Sequence, residues 1–270
     1  MLAFAGNSII CRLALRDNEI DPASFTAVRL ASGALTLLLI FALTRRGKSL
    51  GAHGGWPSAL MLFFYAICFS YAYITLSAGA GALILFGFVQ ATMITIGIWN
   101  GDRPSLTEWL GWSLAFAGLV WLVLPGVEAP PAVGAALMAI AGIAWGIYSL
   151  RGRNESDALA ATASNFTLSL APVLVLVAVT YSDAGFSMQG IALAIVSGAV
   201  TSGLGYVIWY AALESLSSMQ AALVQLSVPA IATAGGVLLL AEPLSLRLLV
   251  SGILVLGGIT LALLRKLPQT

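Results

Sequence analysis

The 270-residue chain is 60% hydrophobic and only 9% charged, with a mean hydropathy of +0.98 and a formal net charge of +1. A water-soluble domain carries about 25% charged residues, so composition excludes a soluble globular protein, and the near-zero net charge excludes a basic nucleic-acid face or an acidic tail. The solvent implied is lipid: apolar runs of about 20 residues, long enough to cross a hydrocarbon core of about 30 Å, follow one another with short polar links.

In chain order, the first run, Leu2 to Leu15, is short and holds Asn7 and Arg12, and the polar turn Arg16 to Pro22 closes it. It begins without a basic stretch or a small-residue cleavage site, so it reads as a span and not as a removable leader. The second run, Ser24 to Thr44, carries Arg29 about one turn inside and is followed by the longest polar loop, Arg45 to Gly55. The third, Trp56 to Ser77, is rich in rings, among them Tyr65, Phe69, Tyr71 and Tyr73. The fourth and fifth, Gly79 to Trp99 and Thr107 to Leu124, flank Asn100-Gly101-Asp102-Arg103-Pro104-Ser105. A Pro-rich linker, Pro125 to Pro131, marks the midpoint. Beyond it lie runs at Ala132 to Leu150, Ala158 to Tyr181, Met188 to Leu213, Met219 to Leu240 and Leu246 to Leu264. The total is ten predicted spans, joined so tightly that consecutive helices have to be antiparallel neighbours.

Basic residues fix the expected orientation. With the N-terminus inside, Arg45, Arg46, Lys48, Arg103, Arg151, Arg153, Arg265 and Lys266 fall on one side, whereas Arg12, Arg16 and Arg247 are near the other. Both termini are therefore expected in the cytoplasm and the chain in a plasma membrane, the inner membrane of a bacterium.

Shifting the chain against itself by 140 positions lays Ala82-Leu83-Ile84 on Ala222-Leu223-Val224, Asp102 on Glu242, Ser105-Leu106 on Ser245-Leu246 and Gly118 on Gly258. Five spans per half is an odd number, so the second half has to enter the membrane from the opposite side. The expected fold class is thus all-α integral membrane, ten transmembrane helices as two inverted five-helix repeats, 1–127 and 128–270, in one membrane domain. Alternating-access carriers are built this way, with the substrate site between the repeats.

The segment Ala212 to Leu261 resembles the second-half signature of the drug/metabolite transporter superfamily, EamA type. Its marks are Ala212-Leu213-Glu214, Pro229 within the ninth span, Glu242 closing it and Gly257-Gly258 in the tenth. Gly6-Asn7-Ser8 and Phe25 to Leu39, with Arg29, are similar to the family's opening helices; Asp102 stands where the family often has Glu. The resemblance implies a central cavity lined mainly by the first, third, fourth, sixth, eighth and ninth helices. Bacterial exporters of metabolites and of amino acids, aromatic ones included, are nearest in pattern, and amphipathic drugs are a further possible cargo.

Within that frame, several residues are candidates for the cavity. Arg29 is the one charge well inside a span; it reads either as a contact for a substrate carboxylate or as a snorkelling side chain paired with a helix end or Asp21. Asn7 would be unsatisfied in lipid and reads as cavity-lining, whereas Arg12, near a span end, reads as a snorkelling anchor. Tyr73, Tyr148 and Tyr210 stand near span ends, as an interfacial belt would. Tyr71, Trp145 and Tyr206 lie deeper, where ring walls with few polar points make a small-molecule site. Gln90 and Gln225 are polar candidates on cavity helices, with interhelical hydrogen bonding as the alternative. Pro229 and Pro172 each remove a backbone donor and are candidate kinks. Gly142-x-x-x-Gly146 and Gly198-x-x-x-Ser202 read as close helix contacts, and Glu242 and Asp102 as turn carboxylates favoured by the following helix dipole.

Catalysis finds no apparatus in the sequence. The only histidine, His53, is in a loop, and no nucleophile elbow or phosphate-cradling motif occurs. No metal site and no cofactor are expected; the partners are a small-molecule substrate and the bilayer, and a monomer is compatible with the pattern. Sparse deep charge favours amino acids over an anionic cargo such as a sugar phosphate, whose import or exchange is the alternative function. No carboxylate or histidine lies deeper than Glu214 at a span end, so facilitated movement is expected over obligatory proton antiport.

Overall fold

The computed structural model describes the chain apart from residues 46–49, 51–52, 102, 127, 154, 182–184, 214, 216–223 and 265–270. Among the described residues there are ten helical spans: α1 (Leu2–Arg16), α2 (Pro22–Thr44), α3 (Trp56–Tyr73), α4 (Ala78–Trp99), α5 (Leu106–Val123), α6 (Ala132–Gly152) and α7 (Ala158–Thr180), then α8, α9 and α10. The eighth, α8, is continuous but not uniform. It runs as an α-helix over Met188–Val196, as a π-helix over Ser197–Leu204, and again as an α-helix over Gly205–Leu213. The last two are α9 (Ser227–Leu240) and α10 (Leu246–Leu264).

Polar residues at the links start the helices where the sequence places them. The Asp21 carboxylate accepts from Ala23 N and Ser24 N at 3.0 and 2.9 Å, with Pro22 opening α2. Ser77, Asp157, Ser187 and Ser245 play the same part at the starts of α4, α7, α8 and α10. At α5 the exchange is reciprocal, Ser105 bonding Glu108 N and Glu108 bonding Ser105 N, which satisfies two otherwise orphaned donors. Between caps the runs are apolar on all sides. Leu35, Leu39, Trp99, Phe116 and Leu174 project outward, as lipid permits and water does not.

Among the described residues, eight helices are long and apolar enough to span a bilayer. The other two, α1 and α9, are shorter at 15 and 14 residues. For α9 the expected start at Met219 lies outside the described residues. Val224 and Gln225 form a separate helical stretch, and Leu226 is a turn before α9 begins. Pro229 therefore occupies the first turn of α9. The helical run is interrupted at Leu226, in the turn before Pro229, where a proline leaves the carbonyl of Gln225 four residues back without its usual partner. Pro172 does sit inside a helix, and α7 continues through it.

The helix pairings map onto themselves when the two halves are exchanged. α5 packs along α10, α2 along α7 and α4 along α9, each a pairing of equivalent helices; α3 with α6 is matched by α8 with α1, and α4 with α6 by α9 with α1. At the α5–α10 contact a Cβ on Gly111 would stand 2.5 Å from Gly258 O, and one on Gly258 would stand 2.4 Å from Gly111 O. Only glycine permits backbones that close, the small-residue packing common between membrane helices.

The halves are also tied at both ends. At the end where α1 finishes, Arg12 Nε donates to Glu242 Oε1 at 3.0 Å, Arg12 Nη1 donates to Tyr73 O and Ile74 O at 2.9 and 2.8 Å, and Ala78 N donates to Glu242 Oε2 at 2.8 Å. Beside it, Asp21 N donates to Gly185 O at 2.8 Å and Ser187 N to Glu19 O at 2.7 Å. At the opposite end, Gly55 N donates to Asn165 Oδ1 at 2.9 Å, Arg151 Nε to Ser58 Oγ at 3.0 Å, and Arg45 lies 3.6 Å from Asp157. Two expectations change here. Arg12 is no snorkelling anchor but one side of an ion pair, and Glu242 serves the start of α4 and Arg12 in place of its own following helix. Asp102, its counterpart by repeat, lies outside the described residues.

Both contacts yield stability predictions. Gly258→Leu forces side-chain atoms into the Gly111 backbone and should lower stability by about 1–3 kcal/mol, the usual range for overpacking. It is read as a drop in melting temperature of the detergent-purified protein; Gly252→Leu, where an added Cβ meets nothing within 4 Å, is the control that should leave it unchanged. Glu242→Ala strips Arg12 and Ala78 N of their acceptor and should cost about 2–4 kcal/mol, given the 14% and 8% side-chain exposures of the pair. A melting temperature unmoved by Glu242→Ala would show the pair to be energetically idle.

Candidate functional site

The centre of the bundle is built from polar groups that lipid could not solvate. Asn7, on α1, is 4% exposed. Its Oδ1 accepts from Ser197 Oγ at 2.6 Å and Thr201 Oγ1 at 3.2 Å, and its Nδ2 donates to Tyr65 OH at 3.4 Å. One amide thus joins α1 to the π-helical stretch of α8 and to α3. A π-helix widens the turn by one residue and is frequent at functional sites. Here it lies where α8 crosses α2 at Gly198, at which an added Cβ would meet Arg29 O at 2.1 Å.

Arg29, on α2, is 2% exposed. Nε donates to Ser202 Oγ at 3.3 Å and Nη2 to Tyr65 OH at 3.1 Å, while the guanidinium carbon lies 5.2 Å from the Tyr65 ring centre and 5.1 Å from that of Phe69. Nη1 is buried with no partner among the described residues, and no described carboxylate lies within ion-pair distance. The snorkelling alternative for Arg29 is thereby excluded. Asp21 is engaged in capping α2 and in holding Gly185 N, so it is not the counter-ion either.

Around this polar centre the rings form one cluster. Trp145 of α6 stands 4.8 Å from Tyr65, 5.2 Å from Tyr206, 6.4 Å from Phe4 and 5.3 Å from Tyr148, centre to centre. Aromatic pairs at such separations each add about 0.5–1.5 kcal/mol beyond the area they bury. The rings, with Asn7, Ser8, Thr201, Ser202, Leu85 and Phe86, enclose a cavity of about 20 Å³ between the halves. Small-molecule sites offer roughly 300 Å³ or more, so this cavity has room for water but not for a cargo molecule.

Of the residues singled out in the sequence, Asn7, Trp145 and Tyr206 line the cavity and Arg29 stands behind Tyr65, Phe69 and Ser202 in its wall. Tyr71, Gln90 and Gln225 do not line it. Tyr71 is only half-buried, on the other side of α3 from the site. Gln90 is 8% exposed, one turn along α4 from Phe86, with Nε2 unpartnered among the described residues. Gln225 is half-buried in the stretch preceding α9. Tyr73 and Tyr148, expected at the membrane interface, are 0% and 2% exposed and belong to the core; the side chain of Tyr210 and all of Glu214 lie outside the described residues.

Sequence reasoning missed most of the lining, and Tyr65 and Phe69, which touch Arg29, are the members that matter most. The signal was present: Tyr65, Phe69 and Tyr73 recur every four residues, one stripe of α3, with centres 5.3 and 4.7 Å apart in succession. Tyr71 falls between them and points elsewhere, because positions two apart on a helix do not share a face. Tyr65→Phe removes the acceptor for both Asn7 Nδ2 and Arg29 Nη2, at a cost of about 1–3 kcal/mol for buried donors left unmet. Its melting temperature should fall clearly below that of the wild-type protein; an unchanged value would break the assignment.

Among the described residues, no cluster of His, Cys, Asp and Glu is placed to hold a metal ion. Comparison with known proteins agrees with the architecture. The chain is 50% identical over 269 residues, all of its own length and 93% of the other's, to an uncharacterized protein of Pseudomonas aeruginosa. An uncharacterized transporter of Archaeoglobus fulgidus is 22% identical over 258 residues, 92% of this chain and 90% of the relative. A protein crystal structure 17% identical superposes with a TM-score of 0.64 over 97% of this chain and 95% of its own, which shows the same fold. Residues 1–124 and 132–264 each match the EamA-like transporter family, and the chain, a multi-pass membrane protein and no enzyme, belongs to that family.

Proposed function

We propose that this protein exports small metabolites across the plasma membrane by alternating access, with hydrophobic and aromatic amino acids as its first cargo. The observation that carries this reading is the ring cluster around Trp145, drawn from both halves and lying between them. Apolar walls with few fixed polar points suit an amphipathic solute. The repeats are proposed to be residues 1–127 and 128–270, and both termini cytoplasmic. Arg45, Arg103, Arg151 and Arg153 gather at the end opposite Arg12, in keeping with the positive-inside rule. A sugar phosphate is disfavoured because, among the described residues, Arg29 is the one cation at the centre. Movement is proposed to follow the cargo's own gradient, since no described carboxylate or histidine sits at the middle of a span to carry a proton.

The test is reconstitution into liposomes with counterflow of labelled phenylalanine and leucine, with and without an imposed pH gradient. Counterflow without a gradient is expected, and Trp145→Ala and Tyr206→Ala should each reduce it by about tenfold, as loss of a large ring contact implies. Flux only under an imposed proton gradient overturns the coupling, and undiminished flux in both variants overturns the site.

A further inference from the structure

We infer that the central site reads its cargo by a single polar feature, a carboxylate taken by Arg29, and leaves an ammonium group unread. The inference rests on the proposal that the ring-lined cavity is the cargo site, and it narrows the cargo to monocarboxylates with an apolar body.

Its basis is the inventory of hydrogen-bonding groups. Arg29 is buried to 2% exposure, and its described partners are two neutral hydroxyls and two ring faces. Hydroxyls and rings soften a buried cation without neutralising it, and an ion taken out of water without its counter-charge is strongly disfavoured. The groups it touches, Ser202, Tyr65 and Phe69, are cavity wall, so the counter-charge most directly able to reach it is one brought in through the cavity. Nη1 is the unspent donor on that guanidinium. A second, Gln90 Nε2, is one turn along α4 from Phe86 of the lining and equally without an acceptor. The third unpartnered buried atom is Ser251 Oγ on α10; none of the three is itself in the lining, and Arg29 alone is joined to it by hydrogen bonds, through Ser202 and Tyr65.

The lining holds no carboxylate, and its one amide acceptor, Asn7 Oδ1, takes the Ser197 hydroxyl and shares that of Thr201 with Ser197 O. A centre with an unspent cationic donor beside it and no carboxylate fits an anion. An organic cation would meet Arg29 with no opposing charge, and a dianion would meet one cation where two are needed. An amino acid is then held by its carboxylate and its side chain, and removing its amino group costs little.

Four probes differing only at the polar end decide this on the full-length protein: phenylalanine, phenylpropionate, phenylalaninamide and phenethylamine, each competing for phenylalanine counterflow and each scored by thermal shift. Phenylpropionate should compete within about threefold of phenylalanine, and the amide and the amine at least about tenfold more weakly, the factor a lost charged hydrogen bond implies. Arg29→Gln should collapse the acid-to-amide ratio toward one, Arg29→Lys should keep part of it, and Gln90→Leu should reduce acid competition by about threefold, the loss of a neutral hydrogen bond. An amide as potent as the acid on the wild-type protein overturns the inference without any variant having to fold, and so does an unchanged ratio in Arg29→Gln. If phenylalanine moves but the amide rivals the acid, the carboxylate assignment fails alone. If none of the four competes or shifts the melting temperature, the cargo-site proposal fails and takes this with it.

Discussion

The buried guanidinium of Arg29 constrains the middle of this protein more than any other group. A permanent charge on a membrane helix has to be turned inward, and once inside it dictates what can stand beside it. Two hydroxyls from helices in different halves, Tyr65 and Ser202, and two ring faces meet it. The same Tyr65 hydroxyl receives Asn7, and Asn7 in turn holds the π-helical turn of α8 that presents Ser202. The result is a chain of contacts running α2, α3, α1, α8 and back to α2. A change at any member reaches the others through groups with few alternative partners, since neither lipid nor an apolar core offers replacements.

What the sequence discloses and what it hides divide along the range of the interactions. Spans, caps and turns depend on neighbours a few residues apart, and there the readings and the structure agree to within a residue or two for α5, α6, α7 and α10. Pairings across the chain leave no local trace. Arg12 and Glu242 are separated by 230 positions, and each, read alone, has an ordinary explanation at a helix end. Arg29 carried two readings because depth along a helix is visible in sequence whereas the side chain's direction is not. The π-helical stretch of α8 was invisible for a related reason: Ser197 to Leu204 has the composition of any small-residue membrane segment, and only its packing on α2 distinguishes it.

The two ends of the bundle are fastened by different chemistry in equivalent places. Links between α1–α2 and α7–α8 at one end correspond, under exchange of the halves, to links between α6–α7 and α2–α3 at the other. The first place uses backbone hydrogen bonds, Asp21 N to Gly185 O and Ser187 N to Glu19 O, the second the Asn165 amide on Gly55 N and the Arg45–Asp157 ion pair. Inverted repeats supply equivalent positions but not equal strengths, so the energies of parting the two ends are set independently by a few residues each. A protein of this design can therefore bias which face it prefers without altering its centre.

The contact of Gly111 with Gly258 bears on how the two halves can move. Displacement in a rigid rotation grows with distance from the axis, so a line through backbones already touching is the one place where rocking changes least. Sliding is blocked there by atoms with nowhere to go, whereas turning is not. If α5 and α10 act as such an axle, helices packed far from that line, α2 and α7 among them, travel further than α4, which lies beside it.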